Sequence, residues 1–140
     1  MSDVRLQRID HVGYAVEDLE DAIRYHQRLY HAEVVHRKES ERDGVREALL
    51  AVGSSFIQLL EPTRPDSPVA RFLERNGPGV HHVAYGVADV AATLTHLKTL
   101  GVQLVDDHPR PGSRGCTVAF LHPKGAMGVL VELVEDPNAA

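Results

Sequence analysis

Two segments of the chain share one pattern of apolar and polar positions. The segment IDHVGYAVEDLEDAI at 9–23 aligns without gaps with VHHVAYGVADVAATL at 80–94, an offset of 71 residues from position 9 to position 80. In both segments an apolar run with β-branched residues leads into an aspartate suited to cap a helix, Asp18 and Asp89. Self-similarity of this kind indicates two copies of one supersecondary unit.

The same pattern predicts the elements of each copy. Helices follow the two aspartates at about 19–30 and 90–100, and Gly101 suits the left-handed position after the second helix. Each half closes with a similar apolar strand, FIQLLE at 56–61 and LVELVE at 130–135. The predicted strands after the helices are 32–39, 45–52 and 55–61 in the first half and 102–107, 116–121 and 128–135 in the second.

A segment rich in proline and glycine separates the two copies. In TRPDSPVARFLERNGPG, Ser67 precedes a proline at the first position of a short predicted helix at 68–75. We therefore expect a first βαβββ module at 1–62, a linker at 63–78 and a second βαβββ module at 79–140. Because a module of this size buries little apolar surface alone, the two should pack as one domain. The predicted fold class is α+β, with two tandem βαβββ modules that form a curved mixed sheet around a shared cleft.

Four polar residues occupy matching places in the two modules. His11 matches His82 at the third position of each opening strand, and Gln58 matches Glu132 inside each apolar closing strand. An unsatisfied buried polar group costs about 1–3 kcal/mol, so each of these residues needs a partner. Two imidazole nitrogens, a carboxylate oxygen and an amide oxygen suit a divalent ion with places left for substrate or water. The repeat therefore predicts a metal cleft, with hydrogen bonding among structural residues as the competing interpretation.

Histidine is unusually frequent, with nine residues in the chain. His81 should point away from His82 because side chains alternate along a strand. Five others are expected on helical or loop surfaces in contact with solvent: His26, His31, His36, His96 and His108.

A carboxylate in the first module is a candidate acid–base group. If the hairpin is centred on 53–54, Glu47 lies opposite Leu60 and diagonal to Gln58, within about 7–8 Å by Cβ. A slip of one residue would instead turn Glu47 outward as a solvated side chain. A carboxylate beside a Lewis-acidic metal suits abstraction of a proton α to a carbonyl, and Glu132 offers a second acid–base group.

Charge and composition make several classes of partner and cellular location unfavourable for this chain. Fifteen basic against twenty acidic side chains give a net charge of −5, which provides no attraction for nucleic acid or an anionic membrane surface. No run approaches the roughly 20 apolar residues of a transmembrane helix, and the charged start lacks a signal-peptide core, so we expect a cytoplasmic protein. The single cysteine, Cys116, fits a reducing compartment and is expected to be a small strand residue rather than a nucleophile.

Beyond these local patterns, the order of motifs along the chain resembles a known family. The chain is similar to the methylmalonyl-CoA epimerases of the vicinal oxygen chelate superfamily, which have the glyoxalase-like fold. The most specific combinations are LLEP…SPVA…FL…GVHH and HPK…GVLVEL. The similar segments are IDHVGYAV at 9–16, GVREALL at 44–50, LLEPTRPDSPVARFLERNG at 59–77, GVHHVAYGV at 79–87 and FLHPKGAMGVLVEL at 120–133.

The resemblance implies a metal held by His11, Gln58, His82 and Glu132, and an acid–base pair formed by Glu47 and Glu132. It implies a reaction that interconverts (2R)- and (2S)-methylmalonyl-CoA, an acyl-CoA substrate, by proton transfer at C2 through an enolate. We expect one divalent ion per chain, with cobalt ahead of manganese, nickel, zinc, iron and magnesium. We also expect a homodimer, with no nucleic acid and no membrane as partners.

Two other function classes stay open. One is another enzyme of the superfamily, either a glyoxalase-type isomerase acting on a different substrate or a ring-cleaving dioxygenase. The other is a metal-free protein that binds a small molecule in the cleft. Gln58 as a fourth ligand speaks against the two-histidine, one-carboxylate iron site of a dioxygenase.

Overall fold

The computed structural model describes residues 4–139, and within them it has three α-helices and eight strands. Parallel and antiparallel strand pairs occur together, which confirms the predicted α+β class with mixed strand pairing. The helices are α1 (Leu19–Tyr30), α2 (Pro68–Asn76) and α3 (Val90–Thr99). The strands are β1 (Arg8–Ala15), β2 (Val34–Ser40), β3 (Val45–Val52), β4 (Ser55–Pro62), β5 (Gly79–Gly86), β6 (Arg110–Pro111), β7 (Thr117–Leu121) and β8 (Val131–Glu135).

The chain divides into two compact units. Of the described residues, the first unit contains His11 to His81, and the second contains 4–10 and 82–139. In the first unit β4 pairs parallel with β1 and antiparallel with β3, whose other neighbour is β2. In the second unit β8 pairs parallel with β5 and antiparallel with β7, whose other neighbour is β6. One pairing scheme therefore occurs twice, as the internal repeat predicts.

The limits of the compact units fall inside β1 and β5. They differ from the module limits expected from the sequence, 1–62 and 79–140, so that division of the chain stays a prediction. None of the helices in residues 4–139 is long and apolar enough to span a membrane.

Each helix begins at a residue whose side chain satisfies a free backbone N–H group. Asp18 and Asp89 accept hydrogen bonds from the third residues of α1 and α3 at 2.9 and 3.0 Å, and Ser67 accepts one from α2 at 3.1 Å. Glu61, near the end of β4, also accepts from the first N–H of α1 at 2.7 Å, and Glu135, at the end of β8, does the same for α3 at 3.0 Å. Both closing strands thus anchor a helix in the same way.

Each closing strand has one face covered by the helix that follows the opening strand. α1 packs on the face of β4 that carries Leu59, and α3 packs on the face of β8 that carries Leu133. α2 packs Val69 against Leu60 on the opposite face of β4. Because side chains alternate along a strand, Gln58 lies on the face of Leu60.

The predicted strand at 102–107 is wrong. Within the described chain, only Leu104 of this segment forms a bridge to β7, and the edge strand that pairs with β7 on the side away from β8 is the two-residue β6. The N–H groups of Val105 and Asp106 both donate to the carbonyl of Phe120, at 3.0 and 3.1 Å. Two N–H groups that share one carbonyl oxygen interrupt the regular spacing of the hydrogen bonds between paired strands.

Candidate metal and acid–base site

In the first unit a histidine and an amide lie on neighbouring parallel strands. His11 is in β1 and Gln58 is in β4, and the Cα partner of Gln58 is Gly13, two residues after the histidine. Both side chains are buried, at 5% and 8% exposure. Residues two apart in a strand face the same side, so the imidazole and the amide share one face of the strand pair.

The second unit repeats this arrangement with a carboxylate. His82 is in β5 and Glu132 is in β8, and the Cα partner of Glu132 is Ala84, again two residues after the histidine. His82 Nε2 lies 3.2 Å from Glu132 Oε1, and both side chains are buried. The equivalence of the two histidine and closing-strand positions, predicted from the sequence repeat, therefore holds in the strand register.

Three of these residues carry side chains that can ligate a metal ion. His11, His82 and Glu132 each offer one ligand atom, an imidazole nitrogen or a carboxylate oxygen. All three residues are buried. Imidazole nitrogens and carboxylate oxygens bind divalent ions at about 2.0–2.2 Å, so the 3.2 Å between His82 Nε2 and Glu132 Oε1 lets both atoms reach a single ion.

The amide oxygen of Gln58 indicates that these side chains suit a metal ion. Its Oε1 is buried and has no hydrogen-bond partner among residues 4–139. Leaving such an oxygen unsatisfied costs about 1–3 kcal/mol, so a cation is a favourable partner for it. Together with two imidazoles and a carboxylate, this oxygen makes a mixed nitrogen and oxygen set that suits a divalent ion.

Glu47 lies beside the amide, as the predicted hairpin register requires. The Cα partner of Glu47 is Leu60, and that of Leu49 is Gln58, so the register centred on 53–54 is confirmed. Glu47 is 6% exposed, and its Oε2 accepts a hydrogen bond from Gln58 Nε2. The alternative of a solvated strand glutamate is therefore wrong, because the side chain faces the buried side of the hairpin.

Six of the other histidines separate into three groups. His81 packs edge-to-face with Phe72, their ring centroids 5.2 Å apart, and His26 is half-buried with Nδ1 2.7 Å from a helix carbonyl. The prediction of a solvated helical or loop position is wrong for His36, which is half-buried in β2 with Nε2 lacking a hydrogen-bond partner within residues 4–139. A register shift between Val34 and His36 places His36 opposite Leu49 of β3, which is itself buried. Solvent exposure is confirmed for His31, His96 and His108.

An aromatic residue that no sequence pattern indicated lies beside one of the candidate ligands. Phe120 packs edge-to-face against His82, with ring centroids 5.6 Å apart and an interplanar angle of 81°. Its Cα partner in β8 is Glu132. Only the register of β7 against β8 gives this placement, and no local pattern in the sequence fixes that register.

A buried ion-pair network was also missed. Asp10 is 1% exposed and accepts hydrogen bonds from Arg8 and Arg114 at 3.1 Å each. Arg114 also donates to Asp136 at 2.9 Å. A charged residue inside an apolar strand was the available signal for Asp10. Burial raises the pKa of the neighbouring Cys116 thiol, which agrees with a structural role for that residue.

Comparisons with known proteins extend over nearly the whole chain. A sequence model of the Glyoxalase/Bleomycin resistance protein/Dioxygenase superfamily matches residues 10–120. The ethylmalonyl-CoA/methylmalonyl-CoA epimerase of Cereibacter sphaeroides is 38% identical over 128 residues, which cover 90% of this chain and 96% of that protein.

Solved structures give the same result. A methylmalonyl-CoA epimerase in complex with methylmalonyl-CoA and NH4+ has 46% sequence identity and a TM-score of 0.92, with 96% of this chain and 97% of that chain covered. A variant of the Streptomyces coelicolor methylmalonyl-CoA epimerase in complex with 2-nitronate-propionyl-CoA has 45% identity and a TM-score of 0.92, with the same coverage of 96% and 97%. These matches confirm both the resemblance and the glyoxalase-like fold. The chain belongs to the Glyoxalase/Bleomycin resistance protein/Dioxygenase superfamily and, within it, to the family of methylmalonyl-CoA epimerases.

Proposed function

We propose that this protein is a methylmalonyl-CoA epimerase, an isomerase that interconverts the (2R) and (2S) epimers of methylmalonyl-CoA by moving the proton at C2. The epimerases above support this substrate because they match 90% and 96% of the chain. The main structural support for the proposed site is the buried amide of Gln58. Its Nε2 donates to Glu47, and its Oε1 has no hydrogen-bond partner among residues 4–139.

His11, Gln58, His82 and Glu132 are proposed to hold one divalent ion per chain. His82 and Glu132 are supported by the 3.2 Å between their side chains, His11 by its equivalence to His82 in the strand register, and Gln58 by its unpartnered oxygen. When bound, the ion supplies Lewis acidity that stabilises negative charge developing on a carbonyl oxygen. We propose cobalt as the ion, to be compared with manganese, nickel, zinc, iron and magnesium.

Glu47 is proposed to take the proton from C2. The side chain is buried, and the hydrogen bond from Gln58 Nε2 to Oε2 holds the carboxylate in one orientation. A general base has to lie within hydrogen-bond reach of the proton it removes, so a fixed orientation favours the transfer.

Glu132 is proposed to exchange a proton on the opposite face of the planar enolate. Epimerisation needs this second group, because return of the proton by Glu47 alone would regenerate the starting epimer. Oε1 of Glu132 lies 3.2 Å from His82 Nε2, and a carboxylate has a second oxygen that can carry the proton.

A cytoplasmic homodimer is proposed as the working form. β2 ends the strand order of the first unit and offers a row of backbone groups for pairing, while the single buried cysteine fits a reducing compartment. Light scattering after gel filtration and fractionation of the source cells test these two points separately.

The reaction is tested by proton NMR of methylmalonyl-CoA in heavy water. The purified protein is used as isolated, after chelation, and after addition of single divalent ions. We expect the C2–H signal to disappear and the C2 stereochemistry to scramble, with both effects lost on chelation and restored by one ion. No exchange with any ion would exclude this substrate while leaving the fold unaffected.

A further inference from the structure

We propose that Phe120 is a positioning residue for His82, and that its ring holds the imidazole in the orientation that binds a metal ion. This inference rests on the proposed metal site and adds a group that is not itself a ligand. The two rings meet edge-to-face, with centroids 5.6 Å apart and an interplanar angle of 81°. Aromatic rings prefer this geometry at such separations, because the positive edge of one ring meets the negative face of the other.

The pairing of β7 with β8 places the ring there. Phe120 is the Cα partner of Glu132, so their side chains leave neighbouring strands on the same face. Glu132 Oε1 in turn lies 3.2 Å from His82 Nε2. The imidazole is therefore contacted by both a carboxylate and a ring, and rotation about its Cβ–Cγ bond would lose both contacts.

Two charged residues hold Phe120 itself. The guanidinium carbon of Arg110 lies 5.3 Å from the centroid of the Phe120 ring, a distance at which a cation is attracted to an aromatic face. Asp106 Oδ2 accepts a hydrogen bond from the backbone N–H of Phe120 at 2.8 Å and lies 3.3 Å from Arg110 Nε. The carboxylate fixes the backbone of Phe120, and the guanidinium covers its ring.

Orientation of a ligating histidine affects how tightly the metal is bound. Groups that orient such a histidine typically change metal affinity by about 10- to 100-fold when they are mutated. A phenyl ring offers no lone pair to a cation, so Phe120 acts on metal affinity through the ligands beside it, and its ring contact is with His82.

The chain provides a matched control for this contact. Phe72 packs edge-to-face against His81 with centroids 5.2 Å apart and an interplanar angle of 76°. His81 is the sequence neighbour of His82 but is not a proposed ligand. Phe72→Leu therefore removes an equivalent ring contact from a histidine that should not affect the metal.

The experiment measures Co²⁺ binding to chelator-treated wild type, Phe120→Leu and Phe72→Leu, followed by the visible absorption of the ion well below the melting temperature. We expect Phe120→Leu to weaken Co²⁺ binding about tenfold and to alter the absorption band, while Phe72→Leu binds like wild type. Epimerase turnover of Phe120→Leu should be low at stoichiometric cobalt and should recover at saturating cobalt. A purely structural role for the ring would lower the melting temperature without changing the affinity.

The outcomes separate this inference from the proposed function. Wild-type affinity and absorption in Phe120→Leu would overturn the role of Phe120 and leave the metal site standing. Failure of the wild type itself to bind Co²⁺ would overturn both. If Phe120→Leu does not fold, Arg110→Met is used in its place, because this variant uncovers the Phe120 ring without removing the ring. A Co²⁺ affinity of Arg110→Met equal to that of wild type would then refute the inference.

Discussion

At the scale of single residues, the contact of Gln58 with Glu47 explains why the two closing strands carry different polar residues, an amide in the first unit and a carboxylate in the second. Its Nε2 donates to Glu47, and a glutamate in its place could not donate and would add a second negative charge beside that carboxylate. In the second unit Val118 stands opposite Val134, as Glu47 stands opposite Leu60 in the first. Because Val118 is not acidic, it does not repel a glutamate on the closing strand of the second unit.

Replacement of Glu47 by glutamine tests its proposed role as the base. Glu47→Gln should keep the metal but slow C2 proton exchange by about 10²- to 10⁴-fold, because an amide cannot accept the proton. Deuterium incorporation at C2 and metal content measure the two effects. Glu39→Gln serves as the control, since this glutamate is exposed and pairs with Arg46 on the surface. Exchange at the wild-type rate in Glu47→Gln would remove Glu47 from the mechanism.

Cys116 should be slow to react in the folded protein. Burial raises the pKa of its thiol, and the nearby positive charge of Arg114 opposes this shift without overcoming it. Because the thiolate is the reactive form, a raised pKa means slow alkylation at neutral pH and a faster reaction as the pH rises. We expect iodoacetamide to label the protein rapidly at neutral pH only after unfolding in urea. Rapid labelling of the folded chain would contradict this.

At the scale of elements, the sequence predicted caps and tight turns more reliably than the edge strand. A helix cap depends on residues three apart, so the pattern that specifies it is local. A strand needs a partner that is remote in sequence, and the segment 102–107 does not obtain a regular one. Two of its N–H groups share the carbonyl of Phe120, and the nearby Pro109 and Pro111 have no N–H group to donate.

Two turn glycines allow the cost of crowding to be separated from the cost of backbone strain. Gly44 has φ +65°, and a Cβ there would lie 2.8 Å from Arg64 Cζ and 2.9 Å from Ser67 Cβ. Gly53 has φ +59°, with no heavy atom of the described residues within 4 Å of the added Cβ beyond its own chain neighbours. Gly53→Ala should cost about 1–2 kcal/mol of unfolding free energy from the left-handed backbone alone. Gly44→Ala should cost more, because Ser67 is fixed at the start of α2.

Urea denaturation of the two glycine variants measures this difference. The slope of the unfolding free energy against urea should stay the same in both, so that the midpoints report stability directly. Equal losses in Gly44→Ala and Gly53→Ala would mean that the contact with Ser67 relaxes without cost.

At the scale of the whole molecule, the internal repeat is what made the site predictable. The opening segments matched His11 with His82, and the closing strands separately matched Gln58 with Glu132. Both closing-strand residues do pair with the position two after the histidine of their own opening strand. The repeat could not identify Phe120, because the first unit has Leu49 at the equivalent register position. A comparison of the two copies cannot identify a residue that is present in only one of them. Such a residue can be placed only from the strand register of the structure.

Metal binding should stabilise the fold as a whole, and this gives a test that does not depend on substrate. An ion that binds only the folded chain raises the unfolding free energy by about 2.7 kcal/mol at a free concentration of 100 times its Kd. We expect Co²⁺ to raise the melting temperature of the chelator-treated wild type. The rise should be absent in His11→Ala and His82→Ala, because each variant loses one of the proposed imidazole ligands.

His96→Ala provides the control for this measurement, since His96 is exposed on α3 and should leave the cobalt-dependent rise intact. Loss of a buried imidazole also removes packing, so the melting temperature of each metal-free variant is the baseline for its own rise. This separates the two effects, because lost packing lowers the baseline whereas a lost ligand removes the response to cobalt. An undiminished rise in either His11→Ala or His82→Ala would show that the ion binds without that imidazole.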